Sequence, residues 1–349
     1  MLVGIHKDQY GKFCPFLQKY EEILDYNNIE HIRLDASDED FWEKVKKLDL
    51  FIFRWTHIDD HHQMAKTIIP IVEKQMGIKC FPNLATSWHY DDKIREYYLL
   101  KQAGFPVIDS YIFWDKNKAL KWAENADYPV VFKLKGGASS QNVLLIKKKS
   151  IAKKLIKKMF CSGINPNKFS FSGSTKHKDF NLYKTIHHWG GNVLRKYRGE
   201  DISPFWQKHK NYVLFQKFLP NNKYDTRITV IGNRALAFRR FNRKNDFRSS
   251  GSGKINYNLD NIDLNFVKIA FQISKKLGFQ SMSYDFLYNE DGKPEFSEIS
   301  YTYQDVAVRN CPGYWDSNLN WHEGHYWPQY FQLMDALEMP ELKQPEMEV

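Results

Sequence analysis

The sequence predicts a mixed fold in which an α/β part precedes α+β parts. Short apolar strands and helix-like segments alternate over the first ~85 residues, the pattern of an α/β domain. From residue 211 onward, apolar runs come in pairs separated by turn residues, which indicates antiparallel hairpins. The 349 residues are enough for two or three packed sub-domains. We therefore expect both fold classes, α/β and α+β, in one chain.

The N-terminal part is predicted to place helices between strands. The strands are expected at 2–5, 30–34 and 49–53, and the helices at 15–27 and 38–47. Asp38 is the expected N-cap of the second helix. No GxGxxG motif occurs in this part, so a dinucleotide site has no support from the sequence.

A second group of elements follows from residue 91. A helix over 91–103 is expected to begin with Asp91 or Asp92 in its first turn and to end at Gly104. The other predicted elements are strands at 106–113 and 128–135, helices at 116–125 and 150–160, and a later helix at 262–277. Residues 161–210 are polar, basic and aromatic with weak periodicity, which favours an insertion.

Composition and charge limit the function classes. The net charge of +10 favours an anionic partner, but the basic residues are spread along the chain and form no nucleic-acid recognition motif. The four cysteines form no CxxC pair, which is typical of a reducing compartment. No apolar run approaches the roughly 20 residues of a membrane helix. We expect a soluble cytoplasmic protein that does not bind nucleic acid.

The last predicted hairpin brings two acids together. A turn centred on Asp291-Gly292 places Asp285 directly opposite Glu298. Two adjacent carboxylates repel each other unless a cation lies between them, and oxygen ligands suit Mg²⁺. Ser300 follows two residues after Glu298 and points to the same face. The alternative, two solvated acids on an exposed sheet face, stays open at this point.

The preceding hairpin predicts a second charged group. A turn at Gly232-Asn233 places Asp225 opposite Arg240, with Arg227 on the same face. The alternative is a cross-strand salt bridge on an outer surface, worth at most about 1 kcal/mol. Arg248 follows in a Gly/Ser-rich loop whose amides could bind an anion.

A small-residue loop follows a third predicted strand. The strand at 128–135 contains Lys133 and leads into GGASSQN. Small residues let backbone amides approach phosphates, and a lysine at the end of a strand can neutralise them. Alone this signal is weak, because Gly/Ser loops are common.

In this order, the motifs resemble those of the ATP-grasp superfamily. The chain resembles its carboxylate–amine ligase branch, which includes D-alanine ligases, glutathione synthetases and ribosomal-protein glutamate ligases; the resemblance covers Asp91 to Ser300. It implies two α+β lobes that grip ATP, preceded by a small α/β domain. The implied domains are 1–88 (N-terminal), 89–210 (lid lobe with the insertion), 211–335 (C-terminal lobe) and 336–349 (tail).

The resemblance also implies roles at matching positions. The implied ATP-binding residues are Lys93, Lys133, Gly136, Gly137, Ser139, Ser140, Gln216, Lys217, Phe218, Leu219 and Asp225. The implied catalytic residues are Arg227, Arg240 and Arg248, and the implied metal ligands are Asp285, Glu298 and Ser300. One position departs from the family pattern, because Ser300 stands where an Asn is usual. A Ser hydroxyl can coordinate Mg²⁺, but its side chain is shorter than that of Asn, so the sequence leaves open whether one or two metals bind.

The expected activity is therefore ATP-dependent ligation. The resemblance implies that ATP phosphorylates a substrate carboxylate, releasing ADP, and that an amine attacks the acyl phosphate, with Mg²⁺ or alternatively Mn²⁺ as the metal. Anionic small-molecule substrates are expected, for instance an acidic sugar or a cell-surface polysaccharide precursor. A kinase of the same fold and a non-catalytic ATP-binding protein are the alternatives, and a homodimer is left open.

A histidine-rich run forms one further cluster. The run His57-Ile-Asp59-Asp60-His61-His62 could bind a transition metal or line a substrate entrance. A structural or solvated role is favoured, because only His57 and His61 have the spacing of a helical zinc site.

Overall fold

The computed structural model describes residues 1–8, 13–56, 58–137, 143–164, 208–244 and 246–348. The chain forms two units. Unit 1 comprises Met1–Thr56, His61–Ile108 and Leu219–Val349, and unit 2 comprises His57–Asp60 and Asp109–Phe218. The domain boundaries drawn from the sequence are a different division and stay predictions. Within the described ranges, no helix has the length and apolar character needed to cross a membrane.

Unit 1 begins with a parallel sheet whose strands are joined by helices. The strands are β1 (Leu2–His6), β2 (Glu30–Leu34), β3 (Leu50–Ile52) and β4 (Lys79–Phe81). The helices are α1 (Pro15–Tyr26), α2 (Phe41–Val45), α3 (Asp59–Pro70) with a π-helical turn (Ile71–Gln75), and α4 (Leu84–Ser87). The strand order is β2-β1-β3-β4, and all pairs are parallel. The predicted α/β character of this part is confirmed.

The predicted N-cap of the second helix is wrong. Helix α2 begins at Phe41, and its N-cap position is Asp40, not Asp38. Residues 38–40 form a turn in which the Phe41 amide donates to the Asp38 backbone oxygen. The Asp38 side chain instead lies 3.5 Å from the Lys44 ammonium. The short helix therefore starts three residues later than its polar first residues suggested.

Helix α5 (Lys93–Gln102) carries the first predicted site lysine. The Asp92 carboxylate caps it by accepting the amides of Ile94 and Arg95. A carboxylate at this end also complements the helix dipole. Gly104, with φ of 79°, follows the helix, as expected for a residue that ends it. The predicted helix over 91–103 is confirmed apart from its end residues.

Unit 2 contains an antiparallel sheet and two helices. Its elements are β5 (Ser110–Phe113), α6 (Lys116–Asn125), β6 (Val130–Lys133), β7 (Val143–Ile146), α7 (Lys149–Phe160) and β8 (Val213–Lys217). The strand order is β5-β8-β6-β7. Apolar residues at Ala152, Leu155, Ile156 and Met159 form the buried face of α7. The helical spacing of Leu155, Ile156 and Met159 predicts this face, whereas Ile151, which shares the predicted pattern, is exposed. Most of the expected insertion, 165–207, lies outside the described residues.

The rest of unit 1 is a larger sheet with three helices. Its strands are β9 (Tyr224–Ile231), β10 (Arg234–Phe241), β11 (Ile255–Asn256), β12 (Ser281–Tyr288), β13 (Pro294–Ser300), β14 (Gly313–Asp316) and β15 (Trp321–Glu323). Its helices are a 3₁₀ turn (Leu259–Asn261), α8 (Leu264–Leu277), α9 (Asp305–Arg309) and α10 (Pro328–Leu337). The order is β13-β12-β9-β10-β14-β15, and β11 pairs with β10.

The described residues of unit 1 are held together by apolar cores. One combines residues in and after the parallel strands, such as Phe51 and Trp55, with residues of the larger sheet, such as Ile228 and Tyr284. The Tyr301 hydroxyl donates to the Trp55 backbone oxygen and so joins the two sheets. Another core packs α1 and α10 against the parallel sheet, and a further one packs residues of β10 against α9 and α10. The strands that carry the charged residues are therefore anchored in a well-packed layer.

Candidate active site

The hairpin of β12 and β13 places Asp285 directly opposite Glu298. This confirms the predicted neighbours, but the turn is not a two-residue turn. Its loop closes through the Asn289 amide, which donates to the Lys293 oxygen, and only Gly292 has a positive φ. The register then shifts between Phe286 and Asp285, so that Ser297 is an extra residue on β13. The longer loop and the bulge together give the pairing that the simple turn predicted.

The hairpin of β9 and β10 has the predicted register throughout. Asp225 pairs with Arg240 across the strands, and the Arg240 guanidinium binds both Asp225 oxygens, at 2.8 and 2.7 Å. The neighbouring strand β12 brings Asp285 opposite Arg227. Arg227 donates to both oxygens of Asp285, at 2.7 and 2.8 Å. Glu298, Asp285 and Arg227 therefore form a row across three adjacent strands.

Arg240 extends this row into a connected network. Its Nη2 also donates to Asp285 Oδ2 at 2.6 Å, so one guanidinium bridges two buried carboxylates. Burial acts to raise the pKa of Asp285, but Arg227 and Arg240 outweigh it and hold the pKa well below its usual range. For Asp225, burial dominates and raises the pKa. Asp285 is therefore the more firmly ionised carboxylate of the two.

Lys93 supplies the cation at the other end of the row. Its buried ammonium lies 3.0 Å from Glu298 Oε1, and the Glu298 side chain is 40% exposed. Burial acts to lower the pKa of Lys93. The negative charges of neighbouring acids, Glu298 first, outweigh burial and raise it. Helix α5 thus directs its first residue at the metal-site candidate on β13.

Glu96 is a site residue that sequence reasoning missed. It lies on α5 three residues after Lys93, is almost fully buried, and has a pKa raised well above its ordinary value by burial. Its charge acts on both Lys93 and Glu298. The available signal was the spacing of Lys93 and Glu96, which puts two opposite charges on one face of a helix.

Ser300 has a local partner. Its hydroxyl donates to the Thr302 backbone oxygen at 2.7 Å, and the Thr302 hydroxyl in turn donates to Tyr90 Oη at 2.6 Å. Ser300 pairs with Ser283 across the strands. Its predicted role as a metal ligand stays a prediction.

Arg248 is held within its own loop. Its guanidinium donates to both oxygens of Asp246, with Nε 3.0 Å from Oδ1 and Nη2 2.6 Å from Oδ2. Among the contacts of the described loop, Arg243 also donates to the Ser250 backbone oxygen at 3.0 Å. The predicted catalytic role of Arg248 stays a prediction, like the ligand role of Ser300.

In unit 2, two predicted ATP-binding segments lie on neighbouring strands. Lys133 ends β6, Gln216 lies on β8, and the pairing of β6 with β8 brings these strands side by side. The Gln216 amide donates to the Ser110 hydroxyl at 3.2 Å. Gly136 and Gly137 follow Lys133 in the described residues, whereas Ser139 and Ser140 lie outside them. The predicted hinge, 216–219, spans the chain boundary of the two units at Phe218 and Leu219.

The histidine-rich run separates into different environments. His61 is buried, and its Nδ1 accepts the Thr56 amide at 2.9 Å. His62 Nε2 lies 3.5 Å from an Asp91 oxygen. His57 lies outside the described residues. Among the residues described, no three His, Cys, Asp or Glu side chains are grouped so that they could hold a metal ion. The structural role favoured from the sequence agrees with the environment of His61.

The two carboxylates fit a magnesium ion in their donor chemistry. A carboxylate has about four lone-pair positions. Asp285 uses three of them, one on Oδ1 and two on Oδ2, and Lys93 contacts Oε1 of Glu298. Acceptor positions therefore remain on both groups. Mg²⁺ is usually bound through one or two carboxylates plus substrate phosphates, so a pair of acids is a sufficient protein contribution.

Comparison with known proteins identifies the fold. No family model and no curated protein sequence matches the chain. Solved structures do match. D-cycloserine synthetase DcsG is 13% identical, with 97% of this chain and 99% of that chain aligned and a TM-score of 0.57. The RimK domain protein ATP-grasp from Sphaerobacter thermophilus DSM 20745 is 12% identical, with 89% and 95% aligned and a TM-score of 0.52.

The chain has the ATP-grasp fold. A third structure, ATP-grasp ligase PsnB with minimal precursor, Mg and ADP, is 13% identical over 88% of this chain and 92% of that chain, with a TM-score of 0.52. These matches also confirm the fold classes predicted from the sequence, α/β and α+β. Identities this low establish the fold and not the reaction, since one fold can host several activities.

Proposed function

We propose that this protein is an ATP-dependent ligase that activates a substrate carboxylate as an acyl phosphate, forms ADP, and joins the acyl group to an amine. The observation that carries the proposal is the adjacent pair Asp285 and Glu298, bordered by Arg227 on one side and Lys93 on the other. Paired acids flanked by cations on the ATP-grasp fold suit a phosphate-bound metal and the charge of phosphoryl transfer.

Arg227 and Lys93 are the cations that we assign to ATP and the transferred phosphoryl group. In the described structure each is paired with an acid of the site. A metal held by the two acids would offset their negative charge, and the Arg227 guanidinium or the Lys93 ammonium would then be available to bind a phosphate oxygen. Arg227 has the more exposed side chain of the two arginines that contact Asp285, at 18% against 11% for Arg240. Arg227 is therefore better placed to change partner.

Arg240 and Asp225 are assigned a positioning role. Their bidentate pair is buried, and Arg240 also holds Asp285. A side chain fixed by three hydrogen bonds keeps the Asp285 carboxylate in one orientation, which is what a preorganised site requires. Asp225 is still proposed as a residue of the ATP site, because Arg240 connects it to Asp285.

Asp285 and Glu298 are the residues that would hold Mg²⁺, with Mn²⁺ as the alternative. When bound, the metal would neutralise phosphate charge and orient the transferred group. Ser300 is the third proposed ligand, through its hydroxyl. The ATP-grasp ligase PsnB with Mg and ADP shows that this metal and nucleotide occur together on the fold.

The remaining assignments rest on the resemblance. In unit 2, Lys133 and the glycines at 136–137 are proposed for the ATP phosphates, together with Ser139 and Ser140. The segment 216–219 is proposed for adenine, and Arg248 for developing charge. An acidic sugar or cell-surface precursor as substrate, a cytoplasmic location and a homodimer stay predictions from the sequence.

The proposal is tested by the products of turnover. The purified chain is incubated with Mg–ATP and mixed pools of carboxylates and amines, and nucleotides and new masses are followed together. We expect ADP, free phosphate and an amide mass that requires both pools. The D285N variant, which keeps the side-chain shape and removes the charge, should abolish the product.

Other product patterns contradict the proposal. AMP with pyrophosphate would exclude an acyl phosphate. ADP with a phosphorylated product and no free phosphate would indicate a kinase. Mg–ATP binding without turnover on any pool would indicate a non-catalytic ATP-binding protein.

A further inference from the structure

Helix α7 of unit 2, with the two residues before it, concentrates positive charge. Residues 147–158 contain seven lysines and no acid, whereas the net charge of the whole chain is +10. Glu124 at the end of α6 contacts Lys149 at 3.4 Å and also contacts Lys153, so part of this charge is compensated. The α7 lysine surface is the name used here for the exposed lysines of this segment, which are Lys147, Lys148, Lys149, Lys154 and Lys157.

This charge pattern opposes the helix locally. The N-terminus of a helix favours acids and disfavours cations. Yet α7 has Lys148 at its N-cap position, begins with Lys149, and has no acid in its first turn. Burial lowers the pKa of Lys158, and the charge of Lys154, one helical turn away, lowers it further. Conflicts of this kind with local stability are expected at surfaces that have a function.

The exposed side of α7 is a row of point charges. Lys154 and Lys157 lie opposite the buried face of the helix, and Ile151 lies at its border. The segment 147–158 contains no arginine and no aromatic residue. Proteins that read nucleic acids use arginine for bidentate contacts and aromatic rings for stacking on bases. A row of lysines instead suits a diffuse array of anions.

Exposed apolar side chains accompany these lysines in unit 2. Ile151 is 43% exposed, and Trp114, which lies just before α6, is 59% exposed. Surfaces that bind the membrane interface combine lysines, which attract anionic headgroups, with side chains such as Trp and Ile, which enter the boundary below them. A soluble polyanion would gain little from either apolar side chain. The combination therefore favours a lipid surface over a soluble polyanion.

We propose that the α7 lysine surface is a docking site for an anionic phospholipid membrane. Anionic lipids give a membrane a negative surface potential, and each lysine close to it strengthens binding about fivefold. The apolar face of α7 is buried within unit 2, so the attachment is peripheral and electrostatic. It requires neither nucleotide nor turnover, and it therefore goes beyond the proposed ligation.

The test is co-sedimentation of the full chain with lipid vesicles. One set of vesicles is phosphatidylcholine alone, and the other is a mixture of phosphatidylcholine and phosphatidylserine. We expect binding to the mixed vesicles and at least ~10-fold weaker binding to the neutral ones. Binding should also fall as salt is added, because the screening length shortens. These measurements use the wild-type protein, so they hold even if a variant fails to fold.

A triple variant locates the surface. K147Q/K154Q/K157Q should weaken binding to the mixed vesicles roughly 100-fold, since three lysines contribute about fivefold each. Because these lysines oppose α7 locally, the variant should melt at a temperature no lower than the wild type does. A loss of binding without a loss of stability separates docking from a structural role.

The matched control removes the same charge from another surface. K46Q/K47Q/K74Q replaces three exposed lysines of unit 1. It should bind the mixed vesicles as the wild type does, because the lost charges do not lie at the docking site. A shared loss in both triple variants would mean that net charge alone drives binding, and would overturn the proposal.

A double variant tests the choice of a membrane. I151Q/W114Q keeps every charge and removes the two exposed apolar side chains. It should bind the mixed vesicles at least ~5-fold more weakly than the wild type. Binding of poly-L-glutamate or polyuridylate, measured in parallel, should not depend on these two residues.

Three further results overturn the proposal. The first is that the wild type binds neutral and mixed vesicles equally, or binds neither. The second is that K147Q/K154Q/K157Q binds the mixed vesicles as tightly as the wild type does. The third is that poly-L-glutamate or polyuridylate binds through the α7 lysine surface while the mixed vesicles do not bind, which would assign this surface to a soluble polyanion.

Discussion

Arg240 binds two carboxylates at once, with Nη2 2.7 Å from Asp225 Oδ2 and 2.6 Å from Asp285 Oδ2. The three residues lie on three neighbouring strands, β10, β9 and β12. This bridge links the pair predicted from one hairpin to the pair predicted from the other. The orientation of Asp285, and with it the proposed metal site, therefore depends on a side chain that would not itself contact the metal.

Removing the bridging guanidinium should destabilise the fold. R240M leaves two buried carboxylates without their shared partner, and breaking a buried ion pair costs about 3–5 kcal/mol. Urea unfolding measures the free energy. The control is K46M, whose lysine pairs with Glu43 at an exposed position, 59% and 69% exposed, and should unfold like the wild type. Equal stability of R240M and K46M would contradict the structural role of Arg240.

Asp285 should contribute stability that depends on pH in one direction. Because its pKa is lowered in the fold, its contribution is present above the unfolded pKa of about 3.9 and is lost as the pH falls toward the folded pKa. The difference in unfolding free energy between the wild type and D285N should thus be constant near neutral pH and shrink below about pH 4. A difference that grows as the pH falls would contradict the lowered pKa.

Glu298 should set the magnesium requirement of turnover. We expect E298Q to raise the Mg²⁺ concentration for half-maximal rate at least ~10-fold, because a neutral amide is a weaker ligand for a hard cation. The control on the same strand is E295Q, whose side chain accepts a hydrogen bond from Asn289 at 3.0 Å. It should leave the requirement unchanged. An unchanged requirement in E298Q would exclude Glu298 as a ligand.

Lys93 should matter more for turnover than for stability. K93M removes the proposed phosphate contact, and loss of one preorganised charge-stabilising group lowers the rate about 10²–10³-fold. Its partner Glu298 is partly exposed and can be solvated, so the unfolding free energy should fall by much less than in R240M. K101M, from the last turn of the same helix, is the matched control. A K93M variant that loses stability and keeps its rate would contradict the proposed role of Lys93 at the phosphates.

Local chemistry accounts for much of what could be predicted. The β9–β10 hairpin follows its Gly232-Asn233 turn, and the pairing of Asp225 with Arg240 was readable from it. Asp285 and Glu298 were also predicted as neighbours, although the bulge at Ser297 compensates for a longer loop than expected. The observed loop alone would shift the pairing by one residue from the predicted one. The extra residue in β13 shifts it back, so that Asp285 still pairs with Glu298.

The rest of the site depends on contacts distant in sequence. No turn predicts that β12 lies beside β9, which gives Asp285 its two arginines. The contact of Lys93 with Glu298 requires the packing of α5 on β13. Such pairings are chosen by tertiary packing over the whole core, and local propensity carries little information about them.

The most direct test of the metal site is a crystal structure with Mn²⁺ and a non-hydrolysable ATP analogue, using the anomalous signal of manganese. We expect a manganese peak bound by oxygens of both Asp285 and Glu298, at roughly 2.0–2.2 Å as for small divalent ions. We also expect that Arg227 or Lys93 has turned to a phosphate oxygen. A peak at other residues, with Asp285 still closed by Arg227 and Glu298 by Lys93, would contradict it.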